Sequence, residues 1–240
     1  MSAKVALVFG GSRGIGGAIV SRLAQDGFDV ALTYVSRPGR AGDLVSAIED
    51  IGRRAIAIQA DSADPAAIRA AVTNAVEYLG TLDAAVVNAG ILRRASVEAF
   101  TLEDLNLVLD VNVRGVFLAI QASVARMRDG GSVVTIGSNT AVRTGSRGSS
   151  VYAMAKAAVA TMVEGIALDL APRRITVNNI RPGPTETDMT TAMAAHLRDV
   201  IPIGRMGRPD EIAALTSYLA GPEAGYMTGG SLTIDGGYVL

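Results

Sequence analysis

The sequence predicts a doubly wound α/β fold, in which a parallel sheet of about seven strands carries helices on both faces and forms a single domain. Short apolar runs recur along the chain without polar alternation, which is typical of strands buried on both faces. Segments with helical spacing lie between these runs, as parallel strands require crossover connections. A length of 240 residues is ordinary for one such domain.

Seven runs rich in Val and Ile are predicted as strands. Each is short, and each is followed by glycine or polar residues, where a buried strand would end. The predicted strands are Lys4–Phe9, Asp29–Tyr34, Arg54–Ile58, Ala84–Val87, Ser132–Ile136, Ile175–Ile180 and Ser231–Ile234.

Cap residues and helical spacing predict helices between the strands. The strongest start signal is Asp64-Pro65, an N-cap residue followed by proline at the first helical position. The predicted helices run over about Gly16–Asp26, from Asp64-Pro65 to near Gly80, from near Thr101 through the apolar stretch around Asn112, and from Ser150 to about Leu170. The mixed stretch 184–207 is interpreted as a substrate lid, with a surface excursion as the alternative.

Composition excludes several kinds of site. The chain has no Cys, a single His (His196) and a net charge of -1. Thiolate nucleophiles and Cys-ligated metals are therefore absent, and no metal site is predicted. The balanced charge gives no reason to expect a nucleic-acid or membrane surface. The stretch Val151–Ala171 is interrupted by charged residues, so we expect no membrane span. With no signal-peptide core in the sequence, we expect a cytoplasmic protein.

A glycine-rich turn, Gly10–Gly16, follows the first strand and opens the first helix. A pyrophosphate can approach such a backbone closely, and the helix N-terminus offers free N–H groups and a positive dipole end. Glycine turns also occur without ligands, but this one lies at the first βα junction of a long βαβ series. The sequence therefore predicts a dinucleotide site here.

The residues after the second strand favour a phosphorylated ribose. NAD sites usually place an acidic residue near this point to bind the 2′-hydroxyl, and none occurs between Val30 and Arg40. Ser36, Arg37 and Arg40 are present instead, and Arg13 lies in the glycine turn. Such donors suit a 2′-phosphate, which predicts NADP(H) over NAD(H). The alternative is that the arginines are solvated surface residues.

Chemistry-bearing residues cluster later in the chain. Tyr152 and Lys156 are four apart and share a helix face, and a nearby ammonium favours the phenolate and lowers the pKa of a tyrosine. Ser138 follows the fifth predicted strand and Asn88-Ala89-Gly90 the fourth, so both should open into the ligand crevice. Asn112 is a buried amide in an apolar stretch and needs partners.

Together these motifs resemble the classical short-chain dehydrogenase/reductase family, over essentially the whole chain. The resemblance implies a Rossmann-type fold and a catalytic tetrad of Asn112, Ser138, Tyr152 and Lys156. It implies that Tyr152 is the acid/base, that Ser138 polarises the carbonyl oxygen and that Lys156 lowers the Tyr152 pKa and binds the nicotinamide ribose. Asn112 would hold a water that relays protons.

The resemblance and the turn chemistry also give a set of cofactor-binding residues. Two positions depart from the family pattern, Phe9 for Thr and Val87 for Asn, and we expect adjusted packing there. The cofactor-binding residues are Gly10, Ser12, Arg13, Gly14, Ile15, Gly16, Tyr34, Ser36, Arg37, Asp61, Ser62, Asn88, Ala89, Gly90, Tyr152, Lys156, Pro182, Gly183, Thr185 and Thr187.

The resemblance leaves the particular activity open. The first hypothesis is an NADP(H)-dependent oxidoreductase that interconverts a small ketone and a secondary alcohol. A 3-oxoacyl-carrier-protein reductase is an alternative, which would need a basic docking patch such as Arg126, Arg128, Arg173 and Arg174. Several stretches also resemble a biofilm-dispersal member of the family that binds cyclic diguanylate, which suggests a regulator instead. The family further implies a homotetramer.

Overall fold

The computed structural model describes residues 3–188, 190, 197 and 199–240. Its core is a seven-stranded sheet in the order β3-β2-β1-β4-β5-β6-β7, with every neighbouring pair parallel. The predicted doubly wound sheet is therefore confirmed. The strands are β1 (Lys4–Phe9), β2 (Phe28–Tyr34), β3 (Ala55–Gln59), β4 (Leu82–Val87), β5 (Met127–Ile136), β6 (Thr176–Pro182) and β7 (Ser231–Ile234).

Helices cover both faces of this sheet. Asp64 caps the third of them by accepting a hydrogen bond from the Ala66 N–H at 2.7 Å, as its sequence predicts. Thr101 caps the fourth by accepting from the Asp104 N–H at 3.1 Å. The helices are α1 (Gly14–Gln25), α2 (Pro38–Asp50), α3 (Pro65–Leu79), α4 (Leu102–Leu109), α5 (Gly115–Val124), α6 (Ser150–Leu170) and α7 (Pro209–Ala220).

Alternate residues of each central strand face opposite helix layers. In β1, Leu7 packs with the apolar faces of α3, α5 and α6, whereas Ala6 and Val8 pack with those of α1, α2 and α7. All three of these side chains are fully buried. Burial on both faces explains why the strand sequences are apolar without alternation.

The structure differs from the sequence prediction at several elements. Helices α2 and α7 were not predicted, and β5 begins at Met127, before the predicted start. The apolar stretch around Asn112 is not one continuous α-helix, because a π-helical turn, Asp110–Arg114, separates α4 from α5. Such turns occur often at functional sites, because the extra residue redirects a side chain.

Within the residues that the structure describes, two helical stretches are long and apolar enough to cross a membrane by length and composition alone. They are Leu102–Val124 and Ser150–Arg173. The charged residues of the second stretch therefore do not by themselves exclude a membrane span. Core helices also pass this test, and both stretches contribute buried residues to the core on one face of the sheet.

Candidate active site

The predicted site residues meet at the carboxyl edge of the sheet. Strands β1 and β4 are adjacent although they are not consecutive, so the winding direction reverses between them. Ligands of doubly wound folds bind outside the strand ends at such a switch point. Gly10, Asn88, Ser138 and Gly183 all follow strands that end at this edge.

The glycine turn is packed too closely for side chains. A Cβ on Gly16 would lie 2.1 Å from the Gly10 carbonyl oxygen and 2.5 Å from the Asn88 side-chain nitrogen. That nitrogen donates to the Gly10 oxygen at 2.8 Å, which ties the end of β4 to the turn. Gly10 itself has φ +72°. Its N–H donates to the Thr33 hydroxyl at 2.9 Å, so β2 also supports the turn.

Replacing Gly16 with Ala is expected to lower the free energy of unfolding by about 3 kcal/mol, because backbone must move to admit the methyl group. We also expect the affinity for NADPH to fall more than about tenfold. Urea denaturation and NADPH fluorescence titration measure the two effects. Gly17→Ala is the control, because its Cβ would have no neighbour nearer than 3.7 Å. Equal behaviour of the two variants would contradict the packing argument.

The start of α1 leaves backbone donors for an anion. Arg13 is the N-cap residue and forms no side-chain cap hydrogen bond. The Gly17 N–H donates to the Arg13 carbonyl at 3.0 Å, so the N–H groups of Gly14, Ile15 and Gly16 precede the helical ladder. Together with the positive end of the helix dipole, they fit a pyrophosphate.

The three arginines predicted to hold a 2′-phosphate lie together. The guanidinium groups of Arg13, Arg37 and Arg40 all contact the Asp188 carboxylate, at 3.3, 3.5 and 3.3 Å. Arg37 has φ +66° and precedes α2. The sequence identified the arginines but gave no sign of their shared acidic partner.

The remaining residues predicted to bind the cofactor surround the same edge. The Asp61 side chain accepts from the Ala63 N–H at 2.9 Å and shapes the turn after β3. Thr185 is buried and donates to the Gly183 carbonyl at 3.0 Å. A Cβ on Gly14 would touch Thr187 at 3.4 Å, so the segment after β6 lies against the glycine turn. Tyr34, Ser36, Ser62, Ala89, Gly90 and Pro182 lie at or directly after the ends of β2, β3, β4 and β6.

Tyr152 and Ser138 form the first half of the candidate catalytic cluster. Burial raises the pKa of Tyr152, and its hydrogen bond with Ser138 opposes this. The lowered pKa expected from Lys156 is therefore not the net direction in this cavity, because removing the phenolate from water costs more. The Ser138 oxygen also accepts from the Thr140 hydroxyl at 2.9 Å, a contact that the sequence did not indicate.

Lys156 is a buried cation beside this pair. Its ammonium lies 5.8 Å from the centre of the Tyr152 ring and donates to the Ile136 carbonyl at 2.8 Å. Desolvation lowers the pKa of Lys156 to about 8. Below that pH the charged form still dominates, and a cation here favours negative charge developing on the phenolic oxygen.

Asn112 is fully buried in the π-helical turn. Its amide donates to the Ile91 carbonyl at 2.8 Å and its oxygen accepts from the Ile91 N–H at 2.9 Å. A Cβ on Gly90 would lie 3.3 Å from that oxygen and 3.5 Å from the Lys156 nitrogen. Asn112 and Lys156 therefore converge on the end of β4.

The stretch 184–207, interpreted from the sequence as a substrate lid, is only partly described. Its residue Met206 is 1% exposed and belongs to the interior. Met189, Met193 and His196 of the same stretch lie outside the described residues. Val142, four residues after Ser138, is 55% exposed.

A glycine-rich turn at the sheet's switch point, beside a tyrosine, a serine and a buried lysine, defines a nicotinamide-dependent α/β oxidoreductase. A family model described as Enoyl-(Acyl carrier protein) reductase matches residues 10–239. The chain belongs to the short-chain dehydrogenase/reductase family.

Known relatives span almost the same length. A short-chain dehydrogenase from Burkholderia cenocepacia, solved in complex with NADP, is 49% identical, with a TM-score of 0.97 over 100% of this chain and 99% of that one. The cyclic-di-GMP-binding biofilm dispersal mediator protein of Escherichia coli is 38% identical over 98% of this chain and 97% of its own length. The 3-oxoacyl-[acyl-carrier-protein] reductase of Staphylococcus aureus is 35% identical over 99% and 98%.

Proposed function

We propose that this chain is an NADP(H)-dependent oxidoreductase that interconverts a small ketone and a secondary alcohol. The observation that carries the proposal is the meeting of Tyr152, Ser138 and Lys156 at the same sheet edge as the glycine turn. The cradle around Gly16, the free N–H groups of α1 and the arginines fit a phosphorylated dinucleotide. When bound, this cofactor supplies or accepts the hydride.

The side chains divide the remaining work. Ser138 donates a hydrogen bond to the carbonyl oxygen and polarises it, while Tyr152 gives that oxygen its proton. Lys156 stabilises the phenolate left behind and binds the nicotinamide ribose. Asn112 orients the chain at Ile91. The family resemblance further implies that it holds a water that returns a proton toward Lys156. Neither thiol, imidazole nor metal is needed, which agrees with the composition.

The direct test is NADPH oxidation with a panel of ketones, followed at the nicotinamide absorbance. We expect turnover with at least one small or medium ketone, and higher kcat/KM with NADPH than with NADH. Catalytic efficiency with NADH that equals or exceeds that with NADPH would contradict the cofactor assignment. Lack of turnover with every ketone would contradict the reaction.

The arginine assignment makes a separate prediction. The double substitution Arg37→Gln/Arg40→Gln is expected to raise KM for NADPH about tenfold, since charged hydrogen bonds to the 2′-phosphate are lost. KM for NADH should change less than about twofold, because NADH has no such phosphate. Arg22→Gln is the control, as this exposed α1 arginine pairs with Asp26 at the far end of the helix. A parallel rise for both cofactors would remove the assignment.

The second candidate is a cyclic-dinucleotide-binding regulator on the same fold. It is favoured by the similarity to the Escherichia coli dispersal protein. The positive cluster of Arg13, Arg37 and Arg40 would also suit phosphates of that ligand. Calorimetric titration with cyclic diguanylate, beside the ketone assay, separates the two. Tight binding without turnover would favour the regulator.

The carrier-protein reductase remains a narrower alternative. One arginine of its predicted docking patch, Arg173, is already engaged within the fold. It pairs with Asp129 at 2.8 Å and donates to the carbonyls of Val124 and Met127. Arg128 lies 3.6 Å from Asp83. This favours a small ketone over an acyl chain carried by an acidic protein.

We further propose a cytoplasmic homotetramer with a substrate lid at about 184–207. Apolar side chains exposed on α5 and α6 support assembly: Phe117 is 43%, Met154 48% and Leu168 78% exposed. Arg205 holds the end of the lid segment through two hydrogen bonds to Glu211, at 2.8 and 2.7 Å. Light scattering at micromolar concentration tests the assembly, and a monomer would contradict it.

A further inference from the structure

Three arginines near the start of the chain contact one oxygen of a carboxylate that lies far along the sequence. Arg13, Arg37 and Arg40 contact the same oxygen of Asp188, although 148 to 175 residues separate them from it. All four side chains are about half exposed, between 53% and 54%. The hydrogen bond from Arg13, followed by the charges of Arg40 and Arg37, lowers the pKa of Asp188, so the group is an anion at neutral pH.

Asp188 lies where it can control access to the cofactor site. The neighbouring Thr187 touches the position of a Gly14 side chain, so this segment lies against the pyrophosphate turn. An open cavity of about 320 Å³ borders the cluster and is lined by residues that include Ser12, Arg13 and Arg40.

The charges of the cluster do not balance. Three guanidinium groups against one carboxylate leave an excess of two positive charges. A phosphate monoester carries a charge of about −1.5 to −2 at neutral pH and has three acceptor oxygens. It would give each guanidinium its own acceptor and neutralise the excess, which a single carboxylate oxygen cannot do.

We propose that Asp188 is an internal competitor for the 2′-phosphate of the cofactor, which it replaces on the three arginines when the site is empty. This rests on the proposed function, since it takes NADP(H) as the ligand. Binding of NADPH then exchanges one anion for another and releases the segment that bears Asp188. NADH has no 2′-phosphate and leaves the contacts between Asp188 and the arginines in place. Asp188 is thus a specificity residue that weakens NADPH binding and speeds its release.

The test compares the wild type with Asp188→Asn, which removes the charge but keeps the shape. Kd is measured by calorimetry for 2′,5′-ADP and 5′-AMP, and by nicotinamide fluorescence for NADPH and NADH. We expect Asp188→Asn to bind NADPH and 2′,5′-ADP about three- to tenfold more tightly, as one competing charge is gone. Kd for NADH and 5′-AMP should change less than about twofold, and the gain should shrink at high salt.

A matched variant separates this effect from net charge. Glu186→Gln removes a carboxylate from the same exposed segment, two residues away, where the charge of Glu186 acts on Arg205. We expect its NADPH affinity to stay within about twofold of the wild type. An equal gain in both variants would overturn the proposal, because general charge would then explain it.

The failures are distinguishable. Unchanged or weaker NADPH binding by Asp188→Asn, with a wild type that prefers NADPH, overturns the role of Asp188 and leaves the proposed function standing. Weaker binding would mean that Asp188 holds the arginines in position instead of competing. A wild type that binds neither NADPH nor 2′,5′-ADP overturns both proposals together.

Discussion

Replacing Tyr152 with Phe is expected to lower kcat/KM for ketone reduction by about three orders of magnitude. The variant keeps the ring and loses only the hydroxyl that we propose gives the carbonyl oxygen its proton, and positioned acid catalysis typically contributes about 10²- to 10⁴-fold. Burial raises the pKa of Tyr152, which favours the neutral phenol that reduction requires. The loss should therefore appear in kcat, with KM for the ketone nearly unchanged.

Two measurements keep this result specific. The Kd for NADPH should stay within about twofold of the wild-type value, and the free energy of unfolding within about 1 kcal/mol, since the substitution removes a single oxygen. Tyr78→Phe is the control, because Tyr78 lies on α3 with its ring 5.1 Å from the Arg54 guanidinium and away from the cluster. Retention of more than about a tenth of the wild-type kcat would mean that another group donates the proton.

The sequence predicted most of the sheet because burial leaves a simple signature. β1 and β7 lie at their predicted bounds, and the other strands differ mainly at their ends. β5 is the largest departure: its first half, Met127–Gly131, contains Arg128, Asp129 and Gly130, which are exposed and carry no apolar run. Only Met127 of this half pairs with β4, opposite Leu82, and a register shift separates it from the regular pairing that begins at Ser132. Such an irregular strand start leaves no apolar pattern in the sequence.

Helix α2 was not predicted, although its apolar residues repeat at helical spacing. Ala41, Leu44, Val45 and Ile48 lie at i, i+3, i+4 and i+7 and pack against the core, while two glycines lower the helix propensity of the segment. Helix α6, by contrast, has the predicted bounds Ser150–Leu170, because its apolar residues repeat over more than five turns.

The candidate site was predictable as a set of residues and not as a set of contacts. Motif spacing identified Tyr152, Lys156 and Ser138, but the net direction of the Tyr152 pKa depends on burial, which only the fold supplies. Asp188 carried no signal at all, since its arginine partners lie far away in the sequence. Such contacts form where the ends of different strands meet. Residues that are far apart in the sequence carry no local pattern that reveals these contacts.

Replacing Lys156 with Met is expected to abolish most activity and yet to stabilise the fold. Turnover should fall about 10²- to 10³-fold, because the charge that stabilises the developing phenolate is lost. Stability should rise because Lys156 is buried and its pKa is lowered from 10.5 to about 8, so its charged form is disfavoured in the folded chain. At neutral pH that shift corresponds to a cost of about 3 kcal/mol.

The sign follows from proton binding. Between about pH 8 and 10.5 the unfolded chain holds a proton on Lys156 that the folded chain has released, so wild-type stability gains from this group as pH rises. Below about pH 8 the folded chain bears the full cost of the buried charge. Met removes that cost but leaves the Ile136 carbonyl without its 2.8 Å donor, a loss of about 1 kcal/mol. The net gain at pH 7 is therefore about 1–2 kcal/mol.

Denaturant unfolding of the wild type and of Lys156→Met at pH 7 and near pH 10.5 tests this argument. The advantage of the variant should be largest at pH 7 and should vanish or reverse near pH 10.5, where the lysine is neutral in the folded chain and only half protonated in the unfolded chain, so that almost all of the cost has gone. Lys4→Met is the control, because Lys4 is the other lysine of the chain and is exposed on β1. A variant less stable than the wild type at pH 7 would show that contacts of the ammonium outweigh its desolvation. Lys156 would then stabilise the fold instead of destabilising it.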